Sequence, residues 1–195
     1  MLLPIRVVTI VLLIVAATVG QAADLSSAVV AEMNLARTQP QAYAQILSER
    51  MGGTKDRDVD EAVRFLQKAK PLPKLALSAG MSRGAKLHVD DVGPKGKTGH
   101  SGTDRSTPFT RMNQFGQYAG MAGENIYYGK QDARGIVCAL IVDSGVRGRG
   151  HRKNIFNDKF ALTGVAHGSH TVYGTMCVMN FAASYAEKAA EVAGL

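Results

Sequence analysis

The chain has 195 residues, 46% hydrophobic and 20% charged, which is enough apolar content for one folded domain and excludes a disordered tail. Lys and Arg exceed Asp and Glu by 23 to 16, a formal +7 that favours anionic partners or surfaces without implying specific nucleic-acid recognition. Two cysteines are too few for a disulfide scaffold, and no repeat of solenoid length is present.

Residues 1–22 read as a secretory signal: Arg6, an apolar run from Val7 to Val19, then Gly20-Gln21-Ala22 at a cleavage site. The run falls short of the roughly 20 residues that span a bilayer, so no membrane span is expected after cleavage. The remainder, 23–195, reads as one domain with its core in about 26–185, exported to an extracellular or periplasmic space. From Ser26, the spacing of Val29, Met33 and Ala36 predicts a helix that stops before Pro40. Thr38 is expected to cap a second helix burying Tyr43, Ile46 and Leu47. After a loop over Met51 to Asp58, Asp58 or Asp60 starts a third with Val59, Val63 and Leu66 inward, ended by Pro71-Leu72-Pro73.

Ser78 caps a helix whose apolar stripe is Met81, Ala85, His88 and Val92, and a long loop runs from Gly93 to Thr107. Thr107-Pro108 opens a short helix that Gly116 closes, and Asn125 to Tyr128 reads as a strand. Asp132 caps the last long helix, with Ile136, Val137, Leu140, Ile141 and Ser144 on one face. Beyond a polar run from Gly145 to Lys159, strands Leu162 to His167 and Thr171 to Phe181 form a hairpin about Gly168-Ser169-His170. The tail from Glu187 reads as helical. Strands that come late and as a hairpin point to an α+β sandwich, not a parallel dinucleotide-binding sheet.

Gly96-Lys97-Thr98 looks like the end of a phosphate-binding loop, but Asp91 stands where that motif needs glycine, and the segment follows a helix instead of a strand. The common zinc-protease, redox and serine-hydrolase signatures are absent. Among the histidines, His88 falls on a core stripe, and His167 and His170 flank a turn at the expected surface. His100 and His151 differ because each sits in a glycine-flanked polar loop, the kind of segment that brings functional side chains together over a rigid scaffold.

Pro71-Leu72-Pro73-Lys74-Leu75, Ala85-Lys86-Leu87-His88, Gly99-His100-Ser101-Gly102, Gly123-Glu124-Asn125-Ile126 and Ser144 with Gly150-His151-Arg152-Lys153-Asn154-Ile155 resemble the ordered blocks of the CAP superfamily. That superfamily comprises the cysteine-rich secretory, antigen 5 and pathogenesis-related 1 proteins, also called SCP domains, and the chain looks like its bacterial branch. The resemblance implies an α-β-α sandwich with a mainly antiparallel central sheet, a secreted location, and a cleft lined by His100, His151 and Glu124. Family members carry a second Glu in the helix before the second histidine block. Here Ser144 aligns with that position, and a helical wheel turns Asp143 roughly 100° away, where it could only assist.

His100, His151 and Glu124 are residue types able to hold zinc or magnesium with modest affinity, water filling the open positions. Three functions follow. The leading one is a non-enzymatic module binding a lipid, sterol or anionic surface component, with Arg147, Arg149, Arg152, Lys153 and Lys159 as a basic rim. The others are a metal-dependent extracellular hydrolase acting at His100, Glu124 and His151, and a protein-interaction module with a vestigial cleft. Cys138 and Cys177 either close a disulfide in an oxidising compartment or serve as small apolar core residues.

Overall fold

The computed structural model describes residues 24–51 and 56–189. The expected signal at 1–22 and most of the expected C-terminal helix lie outside the described residues. Among the described residues, seven helices and four strands follow in the order α1 (Leu25–Thr38), α2 (Pro40–Met51), α3 (Arg57–Lys68), β1 (Ala76–Leu77), α4 (Ala79–Val92), α5 (Pro108–Asn113), β2 (Gly116–Tyr128), α6 (Ala133–Val142), α7 (Gly150–Ile155), β3 (Leu162–His170) and β4 (Gly174–Glu187). The fold is α+β, one four-stranded sheet of order β1-β3-β4-β2 flanked by helices. All pairings are antiparallel except the short parallel β1–β3 contact.

Local chemistry sets the helix starts. Ser78 accepts from Met81 N, Thr107 from Thr110 N within a capping box, and Asp132 from Gly135 N, each satisfying an orphan first-turn donor. For α3 the cap is Asp56, two residues ahead of Asp58, and its carboxylate takes Asp58 N. Along β4, alternation divides the core. Cys177, Met179 and Phe181 face a large cluster with α1, α2, α3 and α6, while Met176 and Val178 face Ala85, Val89 and Val92 of α4.

β2 is longer than expected and forms the sheet edge, so its two faces look into different helical layers. Ile126 and Tyr128 join the α4 side and Tyr127 joins the α6 side. Arg37 of α1, fully buried, donates to the carbonyls of Pro73, Ile155, Asn157 and Phe160 and so fixes the segment after α7. Ile155 is buried, and Phe156, half-buried, packs edge-on against Phe65 at 5.1 Å.

Candidate functional site: two acid–histidine pairs at the edge strand

Glu124 lies on the β2 face shared with Ile126 and Tyr128, turned toward α4 and α5. Both of its oxygens are engaged: Oε1 lies 2.8 Å from His100 Nδ1, and Oε2 accepts from Arg111 Nη2 at 3.0 Å. Arg111 also donates to His100 O at 3.1 Å and to Ser106 O at 3.1 Å. The Glu124 and Arg111 side chains are each 2% exposed, whereas the His100 imidazole is 53% exposed. The ring is the open end of a buried ion pair.

The His100 loop is fixed from behind. His88, fully buried on α4, donates from Nε2 to Gly99 O at 2.8 Å, and Gly99 N donates to the Tyr128 hydroxyl at 2.9 Å. Burial, aided by the Arg111 charge, holds His88 below its ordinary pKa of 6.5, and its buried Nδ1 has no partner among the described residues. A neutral ring suits that environment.

The second pair is built differently. Asp143 follows the last residue of α6 in the left-handed region, φ 54° and ψ 44°, and its N–H closes the helix on Ala139 O. Its carboxylate accepts twice from one residue, the His151 backbone N at 2.9 Å and the His151 ring Nδ1 at 2.6 Å. Asn125, facing away from Glu124 on β2, donates to His151 O at 3.0 Å and accepts from Asn154 at 2.8 Å. The two pairs therefore flank one edge strand, held by its consecutive residues.

Arg149, also left-handed at φ 54°, donates to Asp143 O at 2.7 Å, to Glu61 at 3.2 Å and to Asp58. Buried Arg152 forms a fork on Glu61 at 2.6 and 2.8 Å and caps the C-terminal carbonyls of Ile141 and Val142. These arginine hydrogen bonds hold Asp58 and Glu61 below the usual carboxylate range.

Four sequence expectations change here. Ser144 does not take the acidic position: it is exposed, and its hydroxyl donates to Asp58 at 3.0 Å. Asp143 is the partner of His151, because α6 ends at Val142 and the left-handed turn re-aims the residue that a continued helix would point away. The basic rim is also smaller than expected, since Arg149 and Arg152 are spent on Asp58 and Glu61, leaving Arg147, Lys153 and Lys159 exposed. His170, expected at the surface, is buried, donating to Lys97 O at 3.0 Å.

Among the described residues no group of three or more His, Cys, Asp and Glu is placed to hold a metal ion. The donor chemistry explains this for His100, Glu124 and His151: the Glu124 carboxylate is neutralised by Arg111 and has no free oxygen. That set does not fit zinc or magnesium. Cys138 and Cys177 are free thiols rather than a disulfide, both buried; Cys138 Sγ lies 3.7 Å from the Tyr43 hydroxyl, and burial pushes the Cys177 thiol up to about 12.

Sequence reasoning missed the Asp58 and Glu61 anchors, which lie about 90 positions from their arginines. Arg111 had a readable signal: it is the only charge between Arg105 and Glu124.

The model of the cysteine-rich secretory protein family, CAP, matches residues 30–181, and the chain belongs to that family. The protein YkwD of Bacillus subtilis is 31% identical over 110 residues, 56% of this chain but only 40% of that relative. An extracellular SCP-domain protein of Bacillus anthracis is 25% identical, covering 57% of this chain and 34% of that one, with a TM-score of 0.45. An outer surface protein of Borrelia burgdorferi is 19% identical, covering 60% of this chain and 80% of that one, with a TM-score of 0.48. Among the described residues no helix is long and apolar enough to cross a membrane.

Proposed function

We propose that the chain is a secreted, non-catalytic binding module for a lipid, sterol or anionic surface component, whose headgroup meets the exposed edges of His100 and His151. The observation that carries this reading is the closed His100–Glu124–Arg111 network. A carboxylate with both oxygens bonded, one to a buried guanidinium, is poorly suited to proton transfer or metal ligation, and what it does is orient an imidazole. Each ring has a carboxylate on Nδ1, so its remaining polar atom is Nε2, an acceptor when neutral and a donor when protonated. Liposome sedimentation at low and high salt tests the binding. Loss of sedimentation at high salt is expected for an anionic surface, and no binding to vesicles of any composition would defeat the reading.

One observation favours a second reading, hydrolysis with His151 as general base. Asp143 grips Nδ1 as an orienting acid does in catalytic triads, leaving Nε2 for a water or hydroxyl proton. A hydrolase panel separates the two. Turnover that disappears in His151→Ala and survives Glu124→Gln would establish the second reading and defeat the first.

A further inference from the structure

The β3–β4 turn, Thr171 to Tyr173, carries an apolar tip that the core does not use. Val172 is 67% exposed, more than any other large hydrophobic of the described residues, and neighbouring Tyr173 is 49% exposed. The tip is pre-ordered. The Tyr173 ring packs tilted against His170 at 5.1 Å and against Tyr128 at 5.4 Å, and His170 Nδ1 accepts the backbone N–H groups of both Val172 and Tyr173 at 3.2 Å.

Two exposed lysines flank it. Gly96 abuts the tip closely enough that a Cβ there would lie 2.8 Å from Val172 Cγ2, which sets Lys97 beside it. Lys130 lays its stem across Gly174, 2.5 Å from where a Cβ would be. Neither lysine has an ion pair among the described residues, and the nearby Asp91 is committed to Lys95 and Thr103.

We propose that this tip docks on an anionic phospholipid bilayer, with Val172 and Tyr173 entering the headgroup boundary and Lys97 and Lys130 meeting lipid phosphates. Two apolar side chains are far less than the roughly 800 Å² per partner of a stable protein interface. A bilayer asks for no shape complementarity, only an amphipathic ring, an aliphatic wedge and cations at the same depth. The placement also has a consequence for the site: Tyr128, whose ring packs against the tip, accepts the N–H of Gly99, the residue before His100. A docked tip brings headgroups to the first imidazole. The proposal rests on the lipid-surface reading above and adds the face that makes contact.

The chain contains no tryptophan, so Tyr173→Trp places a lone indole at the tip, excited selectively over the tyrosines. The protein, recovered from the medium of its expression host, is mixed with phosphatidylcholine vesicles with and without phosphatidylglycerol. The expected result is blue-shifted indole emission, quenched by brominated acyl chains, only with the anionic vesicles, and reversed by high salt. Adding Lys97→Gln and Lys130→Gln should lower partitioning roughly 30-fold at low salt, about fivefold per lysine. Sedimentation with an unshifted indole would overturn the tip proposal while leaving lipid binding intact. Absence of sedimentation with either vesicle would overturn the tip proposal, the same absence with sterol-containing vesicles would overturn the lipid-surface reading as well, and a concentration-dependent shift without vesicles would overturn the bilayer in favour of a second copy of the chain.

Discussion

The two acid–histidine pairs look alike as a motif and are opposite as constructions. Glu124 sits in a strand, its charge balanced from within by Arg111, and the ring of His100 hangs outward from a loop pinned by His88 and Tyr128. Asp143 sits at a helix end in a strained conformation and takes both the backbone and the ring of His151, while arginine–acid bridges to α3 hold the loop around it. Both carboxylates are buried, but the first is balanced by a buried guanidinium, whereas the second rests on a helix-end turn and on arginines tied to half-exposed acids of α3. They should therefore fail in different ways.

The largest difference should appear on removing each anchor. Arg111→Leu strands the buried Glu124 carboxylate and should destabilise the fold by about 3–5 kcal/mol in chemical denaturation. Equal stability to wild type would show that Glu124 is solvated after all. Asp143→Ala removes two hydrogen bonds to a charged acceptor and puts alanine in the left-handed region, and should cost about 2–3 kcal/mol. Asp143→Asn tolerates that backbone and should recover about half, which separates strain from charge.

The pH windows sharpen the contrast. His88 is depressed in the folded state, so the unfolded chain binds the extra proton and stability falls as pH drops below about 6.5. His88→Gln should flatten the melting profile between pH 7 and 5. Asp58 and Glu61 are depressed too, from 3.8 and 4.5, so their contribution is present above about pH 4.5 and lost only below it. Protection of the Asp143–Gly150 backbone, measured against the intrinsic exchange rate at each pH, should therefore fall in that lower window, and a loss already complete at pH 6 would contradict the α3 anchoring. The smallest effect belongs to Ser144→Ala, within about 0.5 kcal/mol, because it loses one exposed hydrogen bond.

Elements governed by neighbouring residues are readable from the sequence. Ser78, Thr107 and Asp132 cap the helices they are expected to cap, because a cap needs only a side-chain oxygen and an amide three residues on. Loop glycines single out His100 and His151, and family resemblance supplies Glu124. What fails is extrapolation past a helix end. A wheel that turns Asp143 aside assumes helical backbone at a residue that leaves it, and no apolar spacing marks that exit. Charge balance fails for a different reason: five cations from Arg147 to Lys159 look nearly unopposed until the fold delivers two acids from α3.

Those long-range bridges also order events in time. The Glu124–Arg111 contact spans 13 residues, whereas Arg152 must find Glu61 across 91. Loop-closure entropy makes the longer search more costly by about 2 kcal/mol. The His100 side should consequently gain protection early in refolding, with the His151 loop setting only after α3 and α6 have docked, so that pulse-labelled exchange would see the two-histidine edge completed from one side.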